Sequence, residues 1–286
     1  MNVMVFALNS YLGKACLEYL PSEDFTIHGI VRDQNLLRSK LLQETKAHLY
    51  NLDIFKFDFY SSNLTFPPCD VAFYFTQTPD LYDLLSLRYE LLSLRNYIQL
   101  AKFNNCNRIV YVGAIYDRKH LRSIEKLFEE FNIQFTIILK NVAVGKGTSF
   151  EDFMQKMLKN KFIYLYKPAK SIKLKPITLK DFMGWLKIVD WKTQYIDQYV
   201  EYCGAESMEL EKVMEMYQEK YSTNKKHLVV PLSNKYLAQF CNKYLSGVSY
   251  EQYIEYIVET LDRSDIEQIP FITCSSPSHT ILEEYI

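Results

Sequence analysis

Residues 7–13, A-L-N-S-Y-L-G, stand between an apolar run, N-V-M-V-F-A-L over 2–8, and a stretch in which Leu12, Ala15, Cys16, Tyr19 and Leu20 have helical spacing and Pro21 follows. A tight strand-to-helix turn aims backbone N–H groups and the positive end of a helix dipole at one point, which suits an anion. Turns that hold a dinucleotide diphosphate use three glycines: one for the turn, one for close approach of the backbone, and one for packing the helix on the strand. On a G-x-x-G-x-x-G spacing only Gly13 survives here, with the small residues Ala7 and Ser10 in the other two places. Ala7, Asn9, Ser10, Tyr11, Leu12 and Gly13 are therefore candidate phosphate-binding residues. A strand–turn–helix that binds nothing is the alternative.

The second candidate lies at the end of the next apolar run, F-T-I-H-G-I-V-R over 25–32. At this place an acid favours the ribose 2′-hydroxyl of NAD, whereas an arginine favours the 2′-phosphate of NADP. Arg32 thus favours NADP(H) over NAD(H), with an ordinary surface arginine, or a chain that binds no cofactor, as the alternatives. Other chemistries find less support. The histidines lack metal-ligand spacing, no two of the six cysteines stand as C-x-x-C, and neither a P-loop nor a G-x-S-x-G elbow is present. G-K-G-T-S at 145–149 reads as an anion-binding helix start or as a simple cap by Thr148 or Ser149. The lysine run 170–175 alternates with apolar residues as a solvated strand face does.

Elements that position these residues follow from pattern. Further apolar runs at 70–77, 108–114 and 134–140 read as strands buried on both faces, with short strand material at 48–59. Helical spacing fills 34–47, 80–103 and 121–131 between them. Such alternation gives βαβ units and an α/β fold, a Rossmann-type doubly wound parallel sheet. After Gly147 the rhythm changes to helices near 149–160 and 207–220, a short strand or turn entering a helix over 175–190, and a strand at 198–203. The expected division is a core over 1–148 and a smaller, α-rich C-terminal lobe over 149–286 interleaved with the end of the sheet. The 286 residues carry a net charge of -1, so no basic excess marks a nucleic-acid partner. No apolar run reaches the roughly 18 residues of a membrane span and no signal peptide is visible, so a cytoplasmic protein without a membrane partner is expected.

In the order of these pieces the chain resembles an atypical or extended short-chain dehydrogenase/reductase of the NmrA-like or NAD(P)-binding epimerase-like group. The pieces are Y-L-G at 11–13, G-I-V-R-D at 29–33, F-D-F at 57–59, D-V-A-F-Y-F at 70–75, R-I-V-Y-V-G-A at 108–114, T-I-I-L-K at 136–140 followed by V-A-V-G, P-I-T-L-K-D-F at 176–182 and Y-C-G-A-E-S-M-E-L-E-K-V at 202–213. The resemblance implies a nucleotide cofactor bound by Asp58, Phe59, Phe75, Thr76, Gly113 and Lys140 in addition to the first turn and Arg32. It also implies oxidoreductase or epimerase-like chemistry on a small molecule. The family's active enzymes use a serine after the fifth strand and a Tyr-x-x-x-Lys pair for proton transfer. Here Gly113 or Ala114 holds the serine place, His120 the tyrosine place and Ile124 the lysine place. His120, which in ordinary surroundings titrates near pH ~6.5, and the neighbouring Tyr116 are the remaining proton-transfer candidates. A non-catalytic NADP(H) sensor or regulator of a partner protein, or a structural protein with a lost site, is the alternative to an enzyme.

Overall fold

The structure is a computed structural model that describes residues 1–41, 43–56, 66–76, 84–221, 227–261 and 269–276, without the side chains of 116, 119 and 259. In chain order the described elements begin with β1 (Asn2–Phe6), α1 (Tyr11–Tyr19), β2 (Thr26–Val31), α2 (Gln34–Ser39), β3 (His48–Asn51), β4 (Val71–Phe75), α3 (Leu84–Phe103), β5 (Arg108–Ala114), α4 (Leu121–Glu130) and β6 (Gln134–Lys140). They continue with β7 (Ala143–Val144), α5 (Ser149–Met157), β8 (Phe162–Tyr166), β9 (Lys173–Leu174), β10 (Ile177–Thr178), α6 (Leu179–Ile188), β11 (Gln198–Cys203), β12 (Met208–Glu209), α7 (Leu210–Lys220) and β13 (Leu228–Leu232). Last come α8 (Lys235–Cys241), α9 (Tyr250–Tyr253), α10 (Glu259–Leu261) and β14 (Ile272–Ser275).

Two compact units result. The first comprises Met1–Lys140, Lys180–Tyr202 and Ile269–Cys274; the second comprises Asn141–Leu179, Cys203–Gln268 and Ser275–Ile286. The first unit is built on an eight-stranded sheet in the order β14-β11-β6-β5-β4-β1-β2-β3. Every pairing from β11 to β3 is parallel. A parallel sheet covered by helices on both faces needs strands that are apolar throughout, and β1, β4, β5 and β6 are buried along almost their whole length. The α/β, doubly wound fold expected from the sequence is therefore the fold observed.

The strand order reverses between β1 and β4, where open α/β sheets place their ligands outside the carboxyl ends of the strands. One buried side chain ties these two strands together. The Tyr97 hydroxyl, on α3, lies 2.9 Å from the Met4 carbonyl oxygen and 3.0 Å from that of Phe73. At the opposite ends of the strands, the buried Arg108 guanidinium donates to the carbonyls of Trp191 and Gln194, at 2.9 and 3.0 Å, and so holds the segment before β11 against the sheet.

The second unit is made of helices with three two-stranded pairs, β10-β7, β12-β9 and β13-β8. No described helix is long and apolar enough to cross a membrane.

Candidate nucleotide-binding site

The first turn has the shape of a glycine turn without two of its glycines. Ala7 follows β1 with φ at +63°, the left-handed region that an L-residue enters at a cost of about 1 kcal/mol. The Ser10 N–H donates to the Ala7 carbonyl at 3.0 Å, and the Ser10 hydroxyl donates to the same oxygen at 2.8 Å. Its Oγ in turn accepts the Gly13 N–H at 3.0 Å, so Ser10 is the N-cap of α1. Tyr11 and Leu12 hold the first two helical positions, whose N–H groups no α-helix satisfies internally. Gly13 is retained for packing. A Cβ there would sit 2.4 Å from the Ala7 carbonyl oxygen and from Leu8 Cα. Asn9 is exposed at the tip.

Lys140 is brought to this turn from the end of β6. It is buried, and its Nζ lies 5.2 Å from the centre of the Tyr11 ring. The parallel register sets Ala114 beside Lys140 and Gly113 beside Leu139. Asp117 Oδ2 accepts the Ala114 N–H at 2.8 Å and fixes the turn that leaves β5. The spacing A-I-Y-D is that of an N-cap followed by an acid at the third helical position, so this contact was available to sequence reasoning, which missed it. After β4, Thr76 is fastened to β5: its N–H and its hydroxyl both donate to the Val112 carbonyl, at 3.0 and 2.9 Å. Phe75 is fully buried, with its ring 6.5 Å from that of Phe73.

Arg32 stands just past β2, as expected, but a preference for NADP(H) is not supported. Its Nε lies 3.5 Å from Asp53 Oδ2, with the arginine largely exposed. A carboxylate beside the guanidinium opposes a 2′-phosphate and can accept from a ribose hydroxyl. Asp53 was not foreseen beside Arg32, because it follows β3, twenty-one positions on. Asp58 and Phe59 lie outside the described residues.

The proton-transfer candidates fall on one segment. Ile115–His120 forms a short 3₁₀ turn, and His120 is the boundary residue of α4, making no side-chain bond to the helix N–H groups. The side chain of Tyr116 lies outside the described residues. Ile124, at the lysine place, is buried with Leu121 and Phe128 on the inner face of α4. A further pair on this segment was not foreseen: Arg118 meets Glu201 of β11 at 2.5 Å, with its guanidinium carbon 4.5 Å from the centre of the Phe271 ring.

In the second unit, the G-K-G-T-S helix start carries its own anion. Thr148 caps α5 by accepting the Glu151 N–H at 3.1 Å. The buried Glu151 carboxylate folds back to accept the Gly147 N–H at 2.6 Å and the Tyr221 hydroxyl at 3.0 Å, with Lys220 Nζ at 3.5 Å. Burial raises the Tyr221 hydroxyl to about 12, so it remains a donor to this carboxylate. Of the two readings of this start, capping is the one observed. Among the described residues no group of three or more His, Cys, Asp or Glu is placed to hold a metal ion.

No protein-family profile matches the chain. No characterised protein matches its sequence. Solved structures do resemble it. UDP-glucuronic acid 4-epimerase from Bacillus cereus, solved with UDP-glucuronic acid and NAD, is 12% identical with a TM-score of 0.58, over 92% of this chain and 99% of that one. MoeE5, solved with UDP-glucuronic acid and NAD, is 10% identical with a TM-score of 0.63, over 92% and 100%. The protein gox2253 is 14% identical with a TM-score of 0.64, over 99% and 92%. At these identities the likeness is one of fold, and the chain has the Rossmann-type architecture that these proteins share.

Proposed function

We propose that this chain binds a nicotinamide dinucleotide, NAD(H) in preference to NADP(H), together with a small molecule, as an epimerase-like protein of the short-chain dehydrogenase/reductase type. The observation that carries the reading is the Ala7–Gly13 turn, which keeps a left-handed first residue and a closely packed Gly13 where the strand order reverses. A dinucleotide fits this arrangement. The N–H groups of Tyr11 and Leu12 would hold its diphosphate at the positive end of α1, and Lys140 would add a cation beside them. Asp53, steadied by Arg32, would accept a ribose hydroxyl. Such a cofactor supplies hydride transfer when bound. The NAD complexes of the similar folds support the choice of cofactor, and their UDP-sugars name the first substrates to try.

A second reading has its own support: Ile124 puts a buried aliphatic side chain where the family's lysine would stand, so the tyrosine–lysine route for a proton is missing. On that reading the protein senses the nucleotide without turning it over. His120 and Tyr116 are the groups left to move a proton on the first reading.

Nicotinamide fluorescence and the melting midpoint, followed during titration with NADH and NADPH, test the proposal. At a hundredfold excess over the dissociation constant, NADH should stabilise the protein by about 2.7 kcal/mol. Lys140→Met should weaken NADH binding about tenfold, the loss of about 1.5 kcal/mol of charge-assisted contact. No response to either nucleotide overturns the proposal. Binding with no turnover of UDP-sugars or of a carbonyl panel selects the sensor.

A further inference from the structure

The helix α8 and the wide helical turn that continues it, Asn242–Ser246, are packed with their polarity reversed. The residues facing inward are Ala238, Gln239, Asn242 and Ser246, all buried. The large apolar residues face outward: Tyr236 is 65% exposed, Leu237 50%, Phe240 60%, Tyr244 67% and Leu245 55%. Tyr236, Phe240 and Tyr244 recur at every fourth position and form one stripe, with the Phe240 and Tyr244 rings 4.5 Å apart.

Hydrogen bonds fix this orientation. The Asn242 amide donates to the carbonyls of Tyr164 and Ala238, and the Asn160 amide donates to Ser246 Oγ at 3.2 Å. Turning the helix over would leave the Tyr164 carbonyl and the Asn160 amide without these partners. The aromatic face is therefore presented by the fold.

Charge says what it faces. From Lys235 to Ser246, the length of α8 and the turn after it, the chain carries two lysines and no aspartate or glutamate. Both lysines belong to the stripe. Lys235 Nζ lies 5.5 Å from the Tyr236 ring centre and Lys243 Nζ 5.8 Å from that of Tyr244, so their stems run beside the rings and their charges stand at the rim. A two-fold contact with a second copy would set this positive rim against itself. An anionic lipid surface accepts all of its parts: phenylalanine and leucine below the headgroups, tyrosine hydroxyls at their level, and lysines on the phosphates.

We propose that the outward face of α8 and the turn after it is a peripheral docking site for an anionic lipid bilayer, lying in the interface without crossing it.

Flotation of the full chain with vesicles tests it, using phosphatidylcholine alone and phosphatidylcholine mixed with phosphatidylserine, at low and high salt. The protein should float with the anionic vesicles and detach as salt rises. Phe240→Ser should lower partitioning about tenfold, as expected for withdrawing one large buried apolar side chain. Each of Lys235→Glu and Lys243→Glu should lower it about fivefold or more. Phe240 and Lys243 are exposed and Lys235 is half-buried at the rim, and none of the three makes a buried polar contact that these changes would remove, so the melting midpoint should stay unchanged and show that the variants are folded. Failure to float with anionic vesicles at low salt overturns the proposal, as does flotation that Phe240→Ser leaves intact. Concentration-dependent dimers that Phe240→Ser abolishes, without vesicle binding, would assign the face to a second copy and overturn it as well.

Discussion

The chain contains two strand–turn–helix starts whose first-turn side chains differ. The one at Gly145–Glu151 has two glycines, a lysine and a hydroxyl cap, whereas the one at Ala7–Gly13 has a single glycine. Counting glycines would rank the former as the anion site. In the structure α5 has two acids in its first turn, and one of them, Glu151, occupies the Gly147 N–H. The helix α1 has no acid in its first turn and a buried lysine near its first residue. An acid in the first turn satisfies N–H groups and dipole that an external anion would otherwise meet, so on the proposed reading α1 is the start left to a ligand. Glycine content describes how the backbone reaches the turn, while the first-turn side chains decide who sits there.

The largest effect that would test this contrast is at Gly13. In Gly13→Val a Cβ meets backbone atoms of Ala7 and Leu8 at 2.4 Å, which no rotamer change relieves. The helix must lift from β1, at a cost of about 3 kcal/mol. Urea unfolding should show that loss, and NADH should no longer raise the melting midpoint. Gly147→Ala is the matching change in the other start. Its Cβ meets nothing within 4 Å and carries only the strain of φ at +82°, about 1 kcal/mol. Equal losses in the two variants would show that Gly13 is not packed as described.

Next in size is Glu151→Ala. It leaves the Gly147 N–H, the Tyr221 hydroxyl and Lys220 without their shared acceptor and should cost about 1–3 kcal/mol. The more telling outcome concerns ions. Sulfate stabilises folded proteins generally, so the wild type sets the baseline. Relative to that baseline, sulfate should raise the melting midpoint of Glu151→Ala further, since the helix start regains an anion. An identical sulfate response in both proteins would break the contrast between the two starts.

The fold was legible because buried parallel strands must be apolar on both faces. Val71–Phe75 and Phe135–Leu139 could hardly be anything else, and the helices between them carry readable periods. The site was legible only where its residues act through local backbone. Gly13 as a contact point follows from its type and spacing, whereas Ser10, expected as a phosphate-binding residue, is the cap of α1. Pairings across the sheet do not. Arg32 seemed to read a phosphate until Asp53 appeared beside it, and Arg118 gave no hint of Glu201, eighty-three positions away. The Glu151 seat was a different failure. T-S-F-E at 148–151 has capping-box spacing, but that spacing does not give the bond Glu151 makes, which is to the Gly147 N–H one position outside the box.

The smallest effect bears most directly on how a turn can lose glycines and keep its shape. Ala7 already holds φ at +63°, paying a strain that glycine would not. Ala7→Gly removes that strain but loosens the unfolded chain, so the net gain should be about 0.5 kcal/mol. The variant should melt slightly higher. Its dissociation constant for NADH should match the wild type, because the conformation that aims the Tyr11 and Leu12 N–H groups exists before the substitution. A marked tightening would mean instead that the Ala7 methyl stands in the ligand's way. The first turn would then be a site in the course of closing, with Ala7 doing by bulk what Glu151 does by charge at the other helix start.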